Sequence, residues 1–159
     1  MSALLVTQCY LDNIVHWRRN GLYTRTLGVM QKHTQRSTYK MEIDIIEINR
    51  SNIAVLKSLG VLIQETQDAL DLMAEAGYLN SHKIIIKEDQ VTPEFFDLKT
   101  GIAGEILQKF STYNVQLAII GDFSKYNSKS LRDFIFESNK YGRINFVSSF
   151  EEAKEKLSR

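Results

Sequence analysis

Residues 93–110, PEFFDLKTGIAGEILQKF, lead into VQLAIIGDF at 115–123 and then SKYNSKSLRDFIFESN at 124–139. The stretch reads as loop, helix, buried strand, polar loop, helix, and that alternation sets the fold class. Ile102, Ile106, Leu107 and Phe110 recur at helical spacing. Val115–Ile120 is a mostly apolar run of strand length, ended by Gly121. Leu131, Phe134, Ile135 and Ser138 then share one helical face. Ser130 and Asp133 approximate a capping box, which places this helix over 130–139.

The same alternation continues on both sides. Lys83–Lys87, KIIIK, is a short apolar run framed by charge and reads as a central strand. Arg143–Val147 reads as the last strand. Phe150, Ala153 and Leu157 follow as a short amphipathic helix, with Ser149 and Glu152 at capping spacing. Toward the N-terminus, Gln64–Ala76 has helical spacing, with Ala69, Leu70, Met73 and Ala74 on one face and Gly77 as a C-cap. MEIDIIEI from Met41 is a strand with Glu42, Asp44 and Glu47 on its wet side. The turn cluster Asn49-Arg50-Ser51-Asn52 joins it to a second strand, Ile53–Leu56, as a hairpin. The order is β-β-α-β-α-β-α-β-α. It predicts one α/β domain over residues 41–159: a mixed, mostly parallel sheet with an opening β-hairpin and helices packed on it.

Residues 1–40 have a different texture. They carry Arg18, Arg19, Arg25, Lys32, Arg36 and Lys40 against Asp12 alone, a net +5 that leaves −4 for the rest of a +1 chain. Three readings fit this basic N-terminal extension: a transit peptide, a basic interaction arm, or a poorly ordered segment upstream of a true start at Met41. His16 and His33 have no cysteine or histidine partners at metal spacing.

Composition excludes several classes. A formal charge of +1 argues against general electrostatic binding to nucleic acid. No run approaches the roughly 18 apolar residues of a membrane span. One cysteine, Cys9, precludes an internal disulfide, and a cytoplasmic setting is expected.

In open α/β sheets, ligands gather at the carboxyl ends of the strands. Two loops lie there: 88–101 after KIIIK, and 121–130 after Ile120. Phe95 and Phe96 sit next to Asp97: an extended segment would leave one of the rings exposed to a partner, whereas a turn would bury both. Gly101 and Gly104 are costly in a helix, which implies close packing on the sheet or N–H groups open to a ligand. Asp122 is open to three readings: metal ligand, base or turn residue. The chain has no Walker loop, no GxGxxG fingerprint and no GxSxG elbow. No catalytic residue, metal site or cofactor is therefore assigned. The expected binding surface is Phe95, Phe96, Asp97, Lys99, Thr100, Gly101, Gly104, Asp122, Ser124, Ser128 and Ser130, within loops 94–104 and 121–130.

FFDLKTGIAGEILQKF followed by LAIIGDFSKYNSKSLRDFIFESN resembles a small bacterial family known only as a domain of unknown function (DUF four-one-eight-zero). The resemblance runs from about Met41 to Leu157 and supplies no activity. A more distant likeness is to the STAS domain of anti-anti-sigma factors and sulfate-transporter tails, which has the same element order. Its hallmark loop, Asp-Ser-Ser-Gly-Leu-Gly, is similar to Leu98–Gly104 in its glycines, with one extra residue between them. Thr100 matches the hydroxyl before the first glycine. Lys99 stands where the family's phosphorylated serine would be, and Leu98 replaces the aspartate. The likeness implies a STAS-like, non-enzymatic module that binds a protein partner or a small polar ligand, with no nucleic acid and no membrane. A phosphate on Thr100 and a homodimer through an apolar edge strand near Ile43 are both permitted. The alternative is a small enzyme or sensor for a phosphorylated or polar metabolite. Asp97 or Asp122 would then be its acid, base or metal ligand, and Lys99, Lys125 or Arg132 its anion clamps.

Overall fold

The structure is a computed structural model and describes residues 41–159. The readings of residues 1–40 lie outside the described residues. The elements follow the expected order: β1 (Glu42–Ile48), β2 (Ser51–Lys57), α1 (Thr66–Tyr78), β3 (Lys83–Lys87), α2 (Ile102–Thr112), β4 (Gln116–Ile120), α3 (Lys129–Tyr141), β5 (Ile144–Val147) and α4 (Phe150–Leu157). The strands form one sheet in sequential order, β1-β2-β3-β4-β5. β1 and β2 are antiparallel and the other pairs are parallel.

Sequential order determines where the helices go. Crossovers of one hand, each stepping to the next strand in the same direction, place their helices on the same face. Ala69, Leu72, Met73 and Ala76 of α1, Ala103, Ile106, Leu107 and Phe110 of α2, and Leu131 of α3 all join one core. The sheet contributes Ala54, Leu56, Ile84, Ile86, Leu117, Ile119, Ile144 and Phe146 to it. α4 makes no crossover and folds onto the opposite face. There Ala153 and Leu157 pack on Ile53, Ile85, Ala118 and Val147. The centre of KIIIK, Ile84–Ile86, is thus divided by strand alternation between two cores, which is why all three of these residues are apolar.

Several boundaries differ from the sequence reading. α1 buries Leu72 and Ala76, leaving Ala74 exposed and Leu70 half-buried, so its apolar face is rotated by about one residue from the one expected. Gly77 lies inside α1; Leu79 is its C-cap and Asn80, at φ 56°, takes the left-handed turn beyond it. α3 starts at Lys129 and is capped by Ser128, whose hydroxyl accepts the Leu131 N–H at 3.3 Å; Ser130 lies in the first turn. At α4 the expected cap is present: Ser149 Oγ accepts the Glu152 N–H at 3.2 Å. Asp44 shares the α4 face with Ile46 and Ile48, so the acids of β1 are not all on one side.

Candidate functional site

Two loops meet at the carboxyl ends of β3 and β4, and the link between them is Glu88. It follows β3 directly, and its side chain is 12% exposed. Its Oε1 accepts the Tyr126 hydroxyl at 2.5 Å and pairs with Lys125 Nζ at 2.6 Å. Its Oε2 accepts the Asp122 N–H at 3.2 Å. One carboxylate thus holds the 121–126 loop at three residues, Asp122, Lys125 and Tyr126. Gly121 is the residue that lets it in: a Cβ there would lie 2.5 Å from Glu88 Oε2 and 2.7 Å from Glu88 Cβ.

Beneath Glu88 the loops are joined by aromatic rings. Phe96 stacks on Tyr126 with centroids 5.0 Å apart and planes at 23°, and it also contacts Phe123 at 6.1 Å. Phe123 packs edge-on against Phe146 at 5.3 Å, carrying the chain of rings into the core. Of the two readings of Phe95 and Phe96, the structure takes the one in which a turn buries both, so neither belongs to the exposed binding surface expected of them. They are 1% and 5% exposed. Residues Pro93–Phe96 form a 3-10 turn, in which neighbouring side chains need not diverge as they do in an extended segment. The two rings meet edge-on at 5.1 Å.

Loop 94–104 is a chain of local caps. Asp97 accepts the Lys99 N–H at 3.2 Å and opens a second 3-10 turn, Leu98–Thr100. The Thr100 hydroxyl donates toward the carbonyls of Glu94 (2.9 Å) and Asp97 (2.8 Å), and it accepts the Ile102 N–H at 3.3 Å. A phosphate on Thr100 would remove that donor from both carbonyls. Glu94 accepts the Thr92 hydroxyl, and that bond holds its carboxyl below the usual range. Gly101 has φ 78°, a left-handed conformation that a glycine satisfies without strain. Gly104 is exposed, and a Cβ at either glycine would meet nothing within 4 Å. Close packing on the sheet is therefore not the reason for either.

In the second loop Asp122 acts as a turn residue. Its Oδ1 accepts the Ser124 N–H at 3.0 Å and the Ser124 hydroxyl at 2.6 Å. Ser124, with the charge of Lys125, holds the Asp122 carboxyl below its ordinary range. Lys125 is committed to Glu88, and Arg132 donates to the Asn127 carbonyl at 3.0 Å. Among the described residues no three His, Cys, Asp or Glu side chains gather to hold a metal. Among the same residues no helix is long and apolar enough to cross a membrane. Glu88 and Gly121 were not assigned to the surface from sequence. Their contact joins distant positions and leaves no local pattern, although an acid directly after a buried strand was a usable sign.

The strand order also explains the shape of this face. Ligand crevices in open sheets form where the strand order reverses, because neighbouring loops then turn to opposite sides. Here the order does not reverse. The loops after β3 and β4 close against each other instead. Two open grooves lie elsewhere. One of about 250 Å3 is lined by Gln64–Gln67, Ile102 and Glu105. One of about 320 Å3 lies between α1 and α2, among Leu70, Met73, His82 and Tyr113.

The Tyr126 phenol gives this closure a solution signature. Burial first, then its bond to Glu88 and the Glu88 charge, push its pKa well above the ordinary 10. A raised folded-state pKa means the contribution is complete below pH 10 and is lost as pH rises through the folded value. In a phenolate absorbance titration of the folded protein, one of the seven tyrosines is expected to ionise last. Tyr126→Phe removes that late step. If the substitution instead removes amplitude from the main tyrosine transition and leaves a late step in place, Tyr126 is not held by Glu88.

Fold and site together define a small α/β domain whose face at the carboxyl edge is a closed pair of polar loops. The family model described as Domain of unknown function (DUF4180) matches residues 48–157, and the chain belongs to that family. No curated protein and no solved structure matches it. The STAS likeness accordingly stays a resemblance in element order and in the glycines of loop 98–104.

Proposed function

We propose that this chain is a non-enzymatic binding module that offers loops 94–104 and 121–130 to a protein partner. The observation that supports this reading is that Glu88, Phe96 and Tyr126 join the two loops, so that on this reading their exposed polar residues act as one rim. Asp97, Lys99, Thr100, Asp122, Ser124, Ser128 and Ser130 are all exposed on it. Most of the groups a metabolite enzyme would use are engaged within the loops: Asp97 by the Lys99 N–H, Asp122 by Ser124, Lys125 by Glu88 and Arg132 by the Asn127 carbonyl. A rigid rim with mixed charge suits a protein surface, where electrostatic complementarity sets the choice of partner.

The test is native isolation of the tagged full chain from its source cells, followed by mass spectrometry of what remains bound. The wild type is expected to retain a stoichiometric protein. A Lys99→Glu, Asp97→Asn double variant is expected to retain at least about tenfold less, because a rim charge is reversed and another removed while an acceptor stays for the Lys99 N–H. A partner bound equally by both proteins would place the surface elsewhere. A retained small molecule without a protein would establish the metabolite enzyme or sensor instead.

A further inference from the structure

The two edges of the sheet are finished differently. At β5, the Asn139 side chain stands in for a neighbouring strand. Its Nδ2 donates to the Phe146 carbonyl at 3.0 Å and its Oδ1 accepts the Phe146 N–H at 2.7 Å. At β1, no strand among the described residues pairs along the outer side.

The hairpin turn determines which groups face that side. Asn49 and Arg50 have φ 51° and 63°, and Ile48 pairs with Ser51 across them. A two-residue turn with positive φ at both positions makes the flanking pair mutually hydrogen-bonded, and the pattern then alternates along the ladder. Ile48, Ile46, Asp44 and Glu42 therefore bond to β2. The N–H and C=O groups of Ile43, Ile45 and Glu47 point outward. β2 obeys the same alternation from its other side. Opposite those three residues lie Leu56, Ala54 and Asn52, whose main-chain groups turn away to Gln90 and Ser81.

We propose that β1 is the interface of a symmetric dimer, pairing antiparallel with β1 of a second copy about a two-fold axis at Ile45. The strand EIDIIEI is complementary to itself in this register. Ile43 faces Glu47, Asp44 faces Ile46, Glu42 faces Ile48, and Ile45 faces its own copy. Every residue of the strand is used, and no acid faces an acid. A two-fold axis at Asp44 would instead set two carboxylates opposite each other, which is destabilising. On the α4 face the half-buried Ile46 and Ile48 of one copy would lie beside Asp44 and Glu42 of the other, so apolar and acidic side chains alternate across the axis. At the other edge Asn139 takes the Phe146 groups that a further strand would need, which opposes extension of the pair into a filament.

Analytical ultracentrifugation of the full chain, from micromolar to submillimolar concentration, is expected to show a monomer–dimer equilibrium. Glu47→Pro removes one outward N–H from each copy and leaves the β1–β2 ladder intact, so it should weaken association by about tenfold or more. Glu47→Ala keeps that N–H and should associate like the wild type. Directly opposed residues of a hydrogen-bonded pair have Cα atoms about 5.5 Å apart, within disulfide range. Ile45→Cys in a Cys9→Ser background should therefore form a covalent dimer on mild oxidation. That variant tests the register even where Glu47→Pro fails to fold. A wild-type monomer at all these concentrations overturns the proposal. So does a dimer whose folded Ile45→Cys variant does not cross-link.

Discussion

Replacing Phe96 with alanine is expected to cost about 3–5 kcal/mol of folding stability, the range for deleting a fully packed aromatic ring. Phe96 is 5% exposed and touches Phe95, Phe123 and Tyr126. The surrounding groups come from two different loops, so they cannot close the cavity without moving apart from each other. A loss of that size is a large share of the roughly 5–15 kcal/mol that holds a domain of this kind together. Urea denaturation followed by circular dichroism measures it. Phe96→Leu, which keeps most of the volume, is expected to cost less than about half as much. The alanine variant should also bring the last tyrosine ionisation of the folded protein earlier, because it opens Tyr126 to water. If Phe96→Ala costs under about 1 kcal/mol, the ring is not the floor that joins the loops, and the common rim loses its physical basis.

The elements were legible because their signals are local. Ile84–Ile86 and Leu117–Ile120 are unbroken apolar runs because strand alternation sends their residues into cores on both faces, and such runs can be read without knowing the partners. The hairpin was legible from the polar cluster Asn49–Asn52, although only Asn49 and Arg50 make the turn and Ser51 and Asn52 belong to β2. Helix caps were half legible. Ser128 and Ser130 are both suitable N-caps, and the spacing of Asp133 from Ser130 favoured Ser130. The structure uses Ser128, while Asp133 pairs with Lys129 at 2.8 Å. The loop between β3 and α2 was hardest. Its 3-10 turns are too short to impose a period, so no pattern decided between the two readings of Phe95 and Phe96. The position of the candidate surface was legible from strand polarity alone. Its closed form was not. That form depends on sequential strand order and on Glu88, whose partners lie 34 and 38 positions away.

Gly121→Ala tests that long-range constraint most directly and is expected to cost about 2–3 kcal/mol, toward the upper end for overpacking. Gly121 has no positive φ to defend, so backbone strain is not the cause. The cause is contact: the new Cβ would fall 2.5 Å from Glu88 Oε2 and 2.7 Å from Glu88 Cβ. The carboxylate end could swing aside. The Glu88 Cβ sits on the last turn of chain leaving β3 and can move only if the backbone does. Relief by swinging would also break the exposed bond to the Asp122 N–H and the part-buried bond to Tyr126, leaving the Tyr126 hydroxyl unpaired at about 1–3 kcal/mol. A double-mutant cycle with Glu88→Gly separates these contributions. Removing the whole Glu88 side chain makes room for the alanine, so the double variant should be at least about 1 kcal/mol more stable than the sum of the single losses predicts. Additive losses would mean that Gly121 and Glu88 do not touch in solution. The functional consequence follows from the same geometry. Every exposed residue of the rim is intact in Gly121→Ala, yet loop 121–130 is pushed off loop 94–104. A partner that reads both loops together should be lost with this variant, whereas a partner that reads only one loop should stay.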